Sequence, residues 1–125
     1  MPMPIPAHVT FKGLAPRSDV ESLIDQEITG LANHYDRIVD CRVRVEVPHR
    51  HHMAGNAVQV LIELAVPGDR LVVDHVAEQH QGAPDSAGNA RLCAAVREAF
   101  VLTQRQLAEY AGRQRQGLRR TAVHI

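Results

Sequence analysis

Aromatic side chains are close to absent from this 125-residue chain: Phe11, Tyr35, Phe100 and Tyr110 are all there are, with no tryptophan. That scarcity argues against a platform of exposed rings on which sugars or single-stranded RNA bases would stack. Cysteine is equally thin. Cys41 and Cys93 stand far apart with no CxxC spacing, so they read as small buried apolar residues and not as a redox pair. No run approaches the roughly 18 apolar residues of a membrane span. The start, Met1-Pro2-Met3-Pro4-Ile5-Pro6, has neither the basic nor the apolar region of a secretion signal, so a cytoplasmic protein with no membrane partner is expected. Nothing resembles a nucleophile elbow, a paired-carboxylate site or a phosphate-binding glycine loop, and the scattered acids fall on polar faces. A protein that is not an enzyme and needs no cofactor follows.

What the chain does have is charge sorted along its length. From Gly88 to Ile125 there are seven arginines (Arg91, Arg97, Arg105, Arg113, Arg115, Arg119, Arg120) against Glu98 and Glu109, an excess of five positive charges. The preceding residues hold Lys12 and six arginines against twelve acids, so the formal net charge of zero conceals a polarity. Clustered guanidinium is what phosphate recognition uses. With 45% hydrophobic and 22% charged residues, the chain suits one packed domain that needs neither disulfides nor metal.

Periodicity gives the elements. His8 to Lys12 alternates, with Val9 and Phe11 on one face, and Gly13 ends this first strand. Ser18-Asp19-Val20-Glu21 has the form of a capping box, and behind it Val20, Leu23, Ile24, Ile28, Leu31 and Tyr35 recur at helical steps, weakened only locally by Gly30. From Ile38 the period becomes two: Cys41, Val43, Val45 and Val47 face one way, Arg42, Arg44 and Glu46 the other. Pro48 to Gly55 reads as a loop. Val58, Val60, Ile62, Leu64 and Val66 then mark a third strand, Pro67-Gly68-Asp69 a tight turn, and Arg70 to Val76 a fourth strand in a hairpin with it.

Glu78 to Asn89, rich in Gly, Ala, Pro, Gln and Asp, is expected to be a mobile loop with Asn89 as a helix cap. The last helix places Leu92, Val96, Ala99, Phe100, Thr103, Leu107 and Tyr110 inward and is expected to end near Gly112. This gives a single domain over 1–112 and a basic, frayed tail over 113–125. The fold class is α+β: strand, helix, three strands, helix, with a four-stranded mixed sheet and two helices packed on one face. The first two strands run parallel through a right-handed crossover and the others meander.

The run His34-Tyr35-Asp36-Arg37-Ile38, closing a helix and opening a Val-rich strand, resembles the corresponding junction of the ribosome hibernation-promoting factor family, the ribosome-associated inhibitors. The turn Leu64-Ala65-Val66-Pro67-Gly68 and the helix opening Leu92-Cys93-Ala94-Ala95-Val96 are similar to that family too, and the resemblance extends from Val9 to about Arg115. It implies a fold like a double-stranded RNA-binding domain, in a short form without the further dimerising domain of long members. It also implies an rRNA-binding translation inhibitor that occupies the mRNA and tRNA channel of the small ribosomal subunit under stress or in stationary phase. The chain differs from the family in being almost lysine-free, neutral overall and longer in the loop before the last helix. The alternative is a regulatory protein-interaction module of the same fold that has lost ribosome binding. DNA is not an expected partner, and self-association stays open.

The residues expected to touch RNA form four groups. Arg91, Arg97, Arg105, Arg113, Arg115, Arg119 and Arg120 can grip phosphates, since a folded RNA is read largely through its backbone; the competing reading is a solvated helix face and tail. Lys12, Arg42 and Arg44 share the open side of the sheet, where Glu46 and Glu63 partly neutralise them. Arg37 either contacts RNA or pairs with Asp36 or Asp40. Finally Arg50, His51 and His52, with His49, form a loop suited to phosphate contact that strengthens as the histidines protonate. A metal site there is disfavoured because no Cys, Asp or Glu stands beside them to complete a shell.

Overall fold

The alternation read between Cys41 and Val45 builds the centre of the sheet. In the computed structural model, which describes residues 5–47, 57–78 and 85–123, with side chains over 5–47, 57–77 and 92–114, the elements are β1 (Ala7–Lys12), α1 (Ser18–His34), β2 (Asp40–Glu46), β3 (Ala57–Val66), β4 (Asp69–Glu78) and α2 (Asp85–Val123). The strands lie in the order β1-β2-β3-β4. β1 runs parallel to β2, as a strand pair joined through a helix must, and the other two pairs are antiparallel. The α+β architecture expected from the sequence is the one observed.

Register decides which side chains reach the core. Val43 lies opposite Ile62 and Val45 opposite Val60, while Ile62 and Leu64 lie opposite Val73 and Leu71 of β4. All are buried, and the helices cover them with Val20, Leu23, Ile24, Ile28 and Leu31 from α1 and Leu92, Val96, Ala99, Phe100, Leu107 and Tyr110 from α2. Both stripes are the ones the periodicity marks. Thr103, the one polar member, donates its hydroxyl to the Ala99 carbonyl at 2.9 Å, so its burial leaves no donor unpaired.

Two glycines fix the connections. Gly68, at φ 77°, follows Pro67 in the two-residue turn between β3 and β4, the pairing of residue types that a type II turn requires. Gly13 sits at φ 80° directly after β1, where the Val47 amide bonds back to the Lys12 carbonyl at 2.9 Å.

Several boundaries differ from the sequence reading. Ser18 is the first residue of α1 and Arg17 takes the cap position, where its side chain makes no capping hydrogen bond; the Glu21 amide is met by the Arg17 carbonyl instead of by a capping box. β4 is longer at both ends than Arg70 to Val76. α2 begins at Asp85, inside the stretch expected to be a loop, and runs through Gly112 to Val123. Gly112 carries a negative φ with nothing packed where its side chain would be, so it costs the helix some propensity without stopping it.

Neither cysteine is paired. Cys41 is fully buried, and desolvation, with the charge of Asp40 adding to it, pushes its thiol up to about 12. Because the thiolate is the reactive form, Cys41 stays inert through the neutral range. Titration of the native protein with a disulfide reagent at neutral pH is expected to modify only the half-buried Cys93, and two thiols once the chain is denatured. Two reactive thiols in the native state would show that the sheet opens at β2.

Candidate nucleic-acid interface

Among the described residues no helix covers one face of the sheet, and alternation places His8, Thr10 and Lys12 of β1 there. Across the parallel register these stand beside Arg42, Arg44 and Glu46. Beyond them lie Glu63, Leu61 and Gln59 of β3. Three cations of this face find carboxylates. Lys12 reaches Glu46 at 3.7 Å, Arg44 reaches the other oxygen of Glu46 at 4.0 Å, and Arg70 reaches Glu63 at 3.3 Å. Such exposed pairs add little to stability, but they consume charge that an RNA backbone would otherwise meet. Arg42 is different: among the described residues it has no ion pair. It lines a shallow concavity of about 380 Å³ with His8, Thr10, Arg44, Leu61 and Glu63. The expected neutralisation of the sheet face is therefore present at Lys12 and Arg44 and absent at Arg42.

The outer side of α2 carries the other cations. Arg97, Arg105 and Arg113 are exposed and recur every eight residues, about 12 Å apart along the axis and turned by about 80° around it at each step. Between them stand Val101, 56% exposed, and the exposed Gln104 and Ala108. Among the described residues none of these three arginines is ion-paired. Glu98, the next residue along the helix after Arg97, bonds the His75 ring at 2.8 Å across the helix–sheet junction. Arg91, Arg115, Arg119 and Arg120 fall within α2, so the expected basic tail is backbone-continuous with the helix, but their side chains lie outside the described ones. His49, Arg50, His51 and His52 lie outside the described residues altogether.

Arg37 is brought to a feature that sequence reasoning did not find. Between the end of α1 and the outer flank of α2 lies a groove of about 430 Å³. His34, Tyr35 and Arg37 line it on one side, and Gln104, Leu107, Ala108, Ala111 and Gln114 of α2 on the other. Arg37 pairs with neither Asp36 nor Asp40. The Tyr35 ring meets Tyr110 edge to face, with centroids 5.8 Å apart, and the Tyr110 hydroxyl donates to the Pro67 carbonyl of the β3–β4 turn. Burial pushes the Tyr110 hydroxyl up from its ordinary value; the neighbouring Tyr35 and the charge of Asp69 add to this, and Arg37 opposes it. Tyr110 thus stays a neutral donor to Pro67, and its ring braces that of Tyr35. The only hint of this in the sequence was that both helical stripes end on tyrosine.

Two further contacts tie α2 to the sheet edge. Gln106 donates to the Val72 carbonyl at 3.3 Å, covering part of an edge strand that otherwise presents unpaired backbone. The other is the His75–Glu98 bond. No group of three or more His, Cys, Asp or Glu able to hold a metal occurs among the described residues, and no helix among them is long and apolar enough to cross a membrane.

No protein-family model and no curated protein sequence matches the chain. Solved structures do. The fold is similar to a ribosomal subunit interface protein from Coxiella burnetii, with a TM-score of 0.63 at 11% identity, covering 86% of this chain and 99% of that one. It is also similar to the N-terminal domain of Protein Y from Thermus thermophilus, with a TM-score of 0.61 at 13% identity and the same coverages. At such identity the likeness is one of fold: this chain has the four-stranded mixed sheet and two-helix layer of the ribosomal interface proteins.

Proposed function

We propose that this protein binds the small ribosomal subunit through rRNA and lies across the path of mRNA and tRNA, holding translation off in stress or stationary phase without chemically changing its target. The observation that carries the reading is the set Arg97, Arg105 and Arg113, spread around the outer half of α2 and free of ion pairs among the described residues, on a fold shared with a ribosomal subunit interface protein. Guanidinium groups left without carboxylate partners keep their full charge and fork geometry for phosphate. Arg37, in the groove beside α2, adds a further cation on the helix side, whereas Arg42 stands on the opposite, open face of the sheet.

A second reading, a protein-interaction module that no longer binds ribosomes, is favoured by one observation: the cations Lys12, Arg44 and Arg70 of the open sheet face are turned inward to Glu46 and Glu63. Co-sedimentation with purified small subunits at physiological salt separates the two. The expected result is a stoichiometric complex, and falling peptide output when the protein is added in excess to a purified translation system. Protein that stays in the supernatant and leaves peptide output unchanged would overturn the ribosome-binding reading.

A further inference from the structure

We infer that the groove between the end of α1 and α2 is a pocket for one unpaired nucleotide of an RNA strand. This rests on the RNA-binding reading and adds to it a place where a base, and not only a phosphate, is held. The groove's volume of about 430 Å³ falls in the range of small-ligand sites, about 300–1,000 Å³. Its lining sorts by chemistry. Leu107, Ala108 and Ala111 give an apolar bed along α2, the two alanines adding little bulk. Tyr35 closes one end with a half-buried ring. Gln104 and Gln114 bring carboxamides, each able to donate and to accept, as the mixed edge of a nucleobase demands. Arg37 supplies the cation for the attached phosphate, and no carboxylate lines the groove to repel it.

An unpaired base is held by an aromatic or guanidinium plane and hydrogen-bonded along its edge, whereas a base within a duplex presents neither face. The groove offers both kinds of contact within one nucleotide's reach. It is also pre-formed. Tyr35 is braced by Tyr110, and Tyr110 by the Pro67 carbonyl, so one wall is fixed before any ligand arrives. A single pocket of this kind is compatible with the scarcity of aromatics, since it uses one ring where a stacking platform needs several.

The protein reports on this site by itself, because one of its two tyrosines lines the groove, the other braces it, and there is no tryptophan. With both tyrosines replaced biosynthetically by 3-fluorotyrosine, fluorine NMR gives one signal from the groove wall and one from its brace. Titration with the single-stranded tetranucleotides UUUU and AAAA is expected to move the Tyr35 signal saturably, while a blunt 12-base-pair RNA duplex leaves it in place. Ala108→Leu, on an exposed helical position, fills the bed and is expected to abolish the movement. Arg37→Gln is expected to weaken it about tenfold, the loss of one charge-assisted contact.

A tyrosine signal that ignores single strands, follows the duplex equally, or still moves in Ala108→Leu overturns the proposal; so does movement by polyglutamate in place of RNA. Small-subunit co-sedimentation of the unlabelled wild-type protein, run in parallel, separates the two claims. An intact complex with unmoved tyrosines removes the nucleotide pocket alone, and loss of both removes the ribosomal reading with it.

Discussion

Alanine at Gly13 is expected to lower the unfolding free energy by about 3–4 kcal/mol, among the largest effects of any single methyl in this chain. Two costs combine. Gly13 sits at φ 80°, where a side chain crowds its own backbone by roughly 1–2 kcal/mol. In addition, the new Cβ would lie 2.1 Å from the Val47 carbonyl oxygen, which is main chain and cannot swing aside. The Val47 amide is held by the Lys12 carbonyl, so relieving the overlap means parting β1 from the end of β2. Gly68 provides the control, since it has φ 77° but open space around it, and alanine there should cost only the backbone share, roughly 1–2 kcal/mol. Gly30, inside α1 with open space and ordinary dihedrals, should reverse the sign and stabilise by about 0.5–1 kcal/mol. Urea unfolding of the three variants checks the order, and a Gly13→Ala protein as stable as Gly68→Ala would mean that β1 does not dock as described.

The parts of this fold that were legible in the sequence are those fixed by local period. Cys41, Val43 and Val45 announce a half-buried strand because alternation is the geometry of a strand, and the α2 stripe from Leu92 to Tyr110 announces its inner face for the same reason. Boundaries were less legible because they are decided by small differences. Gly112 looks like a stop, yet a glycine in mid-helix costs only about 1 kcal/mol, and α2 continues past it. Ser18 and Glu21 have the spacing of a capping box, but the helix starts one residue too early for that geometry.

The candidate site divides the same way. That Glu46 would temper the sheet cations follows from side-chain alternation, and it does so at Lys12 and Arg44. The groove was not legible, because it joins residues 34–37 to residues 104–114 and no pattern within either segment implies the other. Nor was the bond of Glu98 to His75, which arrives from β4.

Changing Arg97, Arg105 and Arg113 together to glutamine is expected to reduce the slope of log affinity for the small subunit against log salt by about 2–3, and to weaken binding by about 10²–10³ at low salt. Each guanidinium that neutralises one phosphate releases close to one counterion, about 0.9 on a duplex and 0.7 on a single strand, so three contacts set the size of the change. All three side chains are exposed and none is ion-paired among the described residues, so the substitutions leave the Phe100 and Tyr110 core as it is and the melting transition should not move. The matched control is Lys12→Gln with Arg44→Gln. These two cations already share Glu46, and removing them strips the sheet face of little free charge, so the slope should change by less than about 1. Sedimentation titrations between about 50 and 200 mM salt, the interval over which such slopes are measured, give both numbers directly. If the paired variant lowered the slope more than the helix variant did, the RNA-facing side would be the open sheet with Arg42 at its centre, and α2 would be a solvated outer surface.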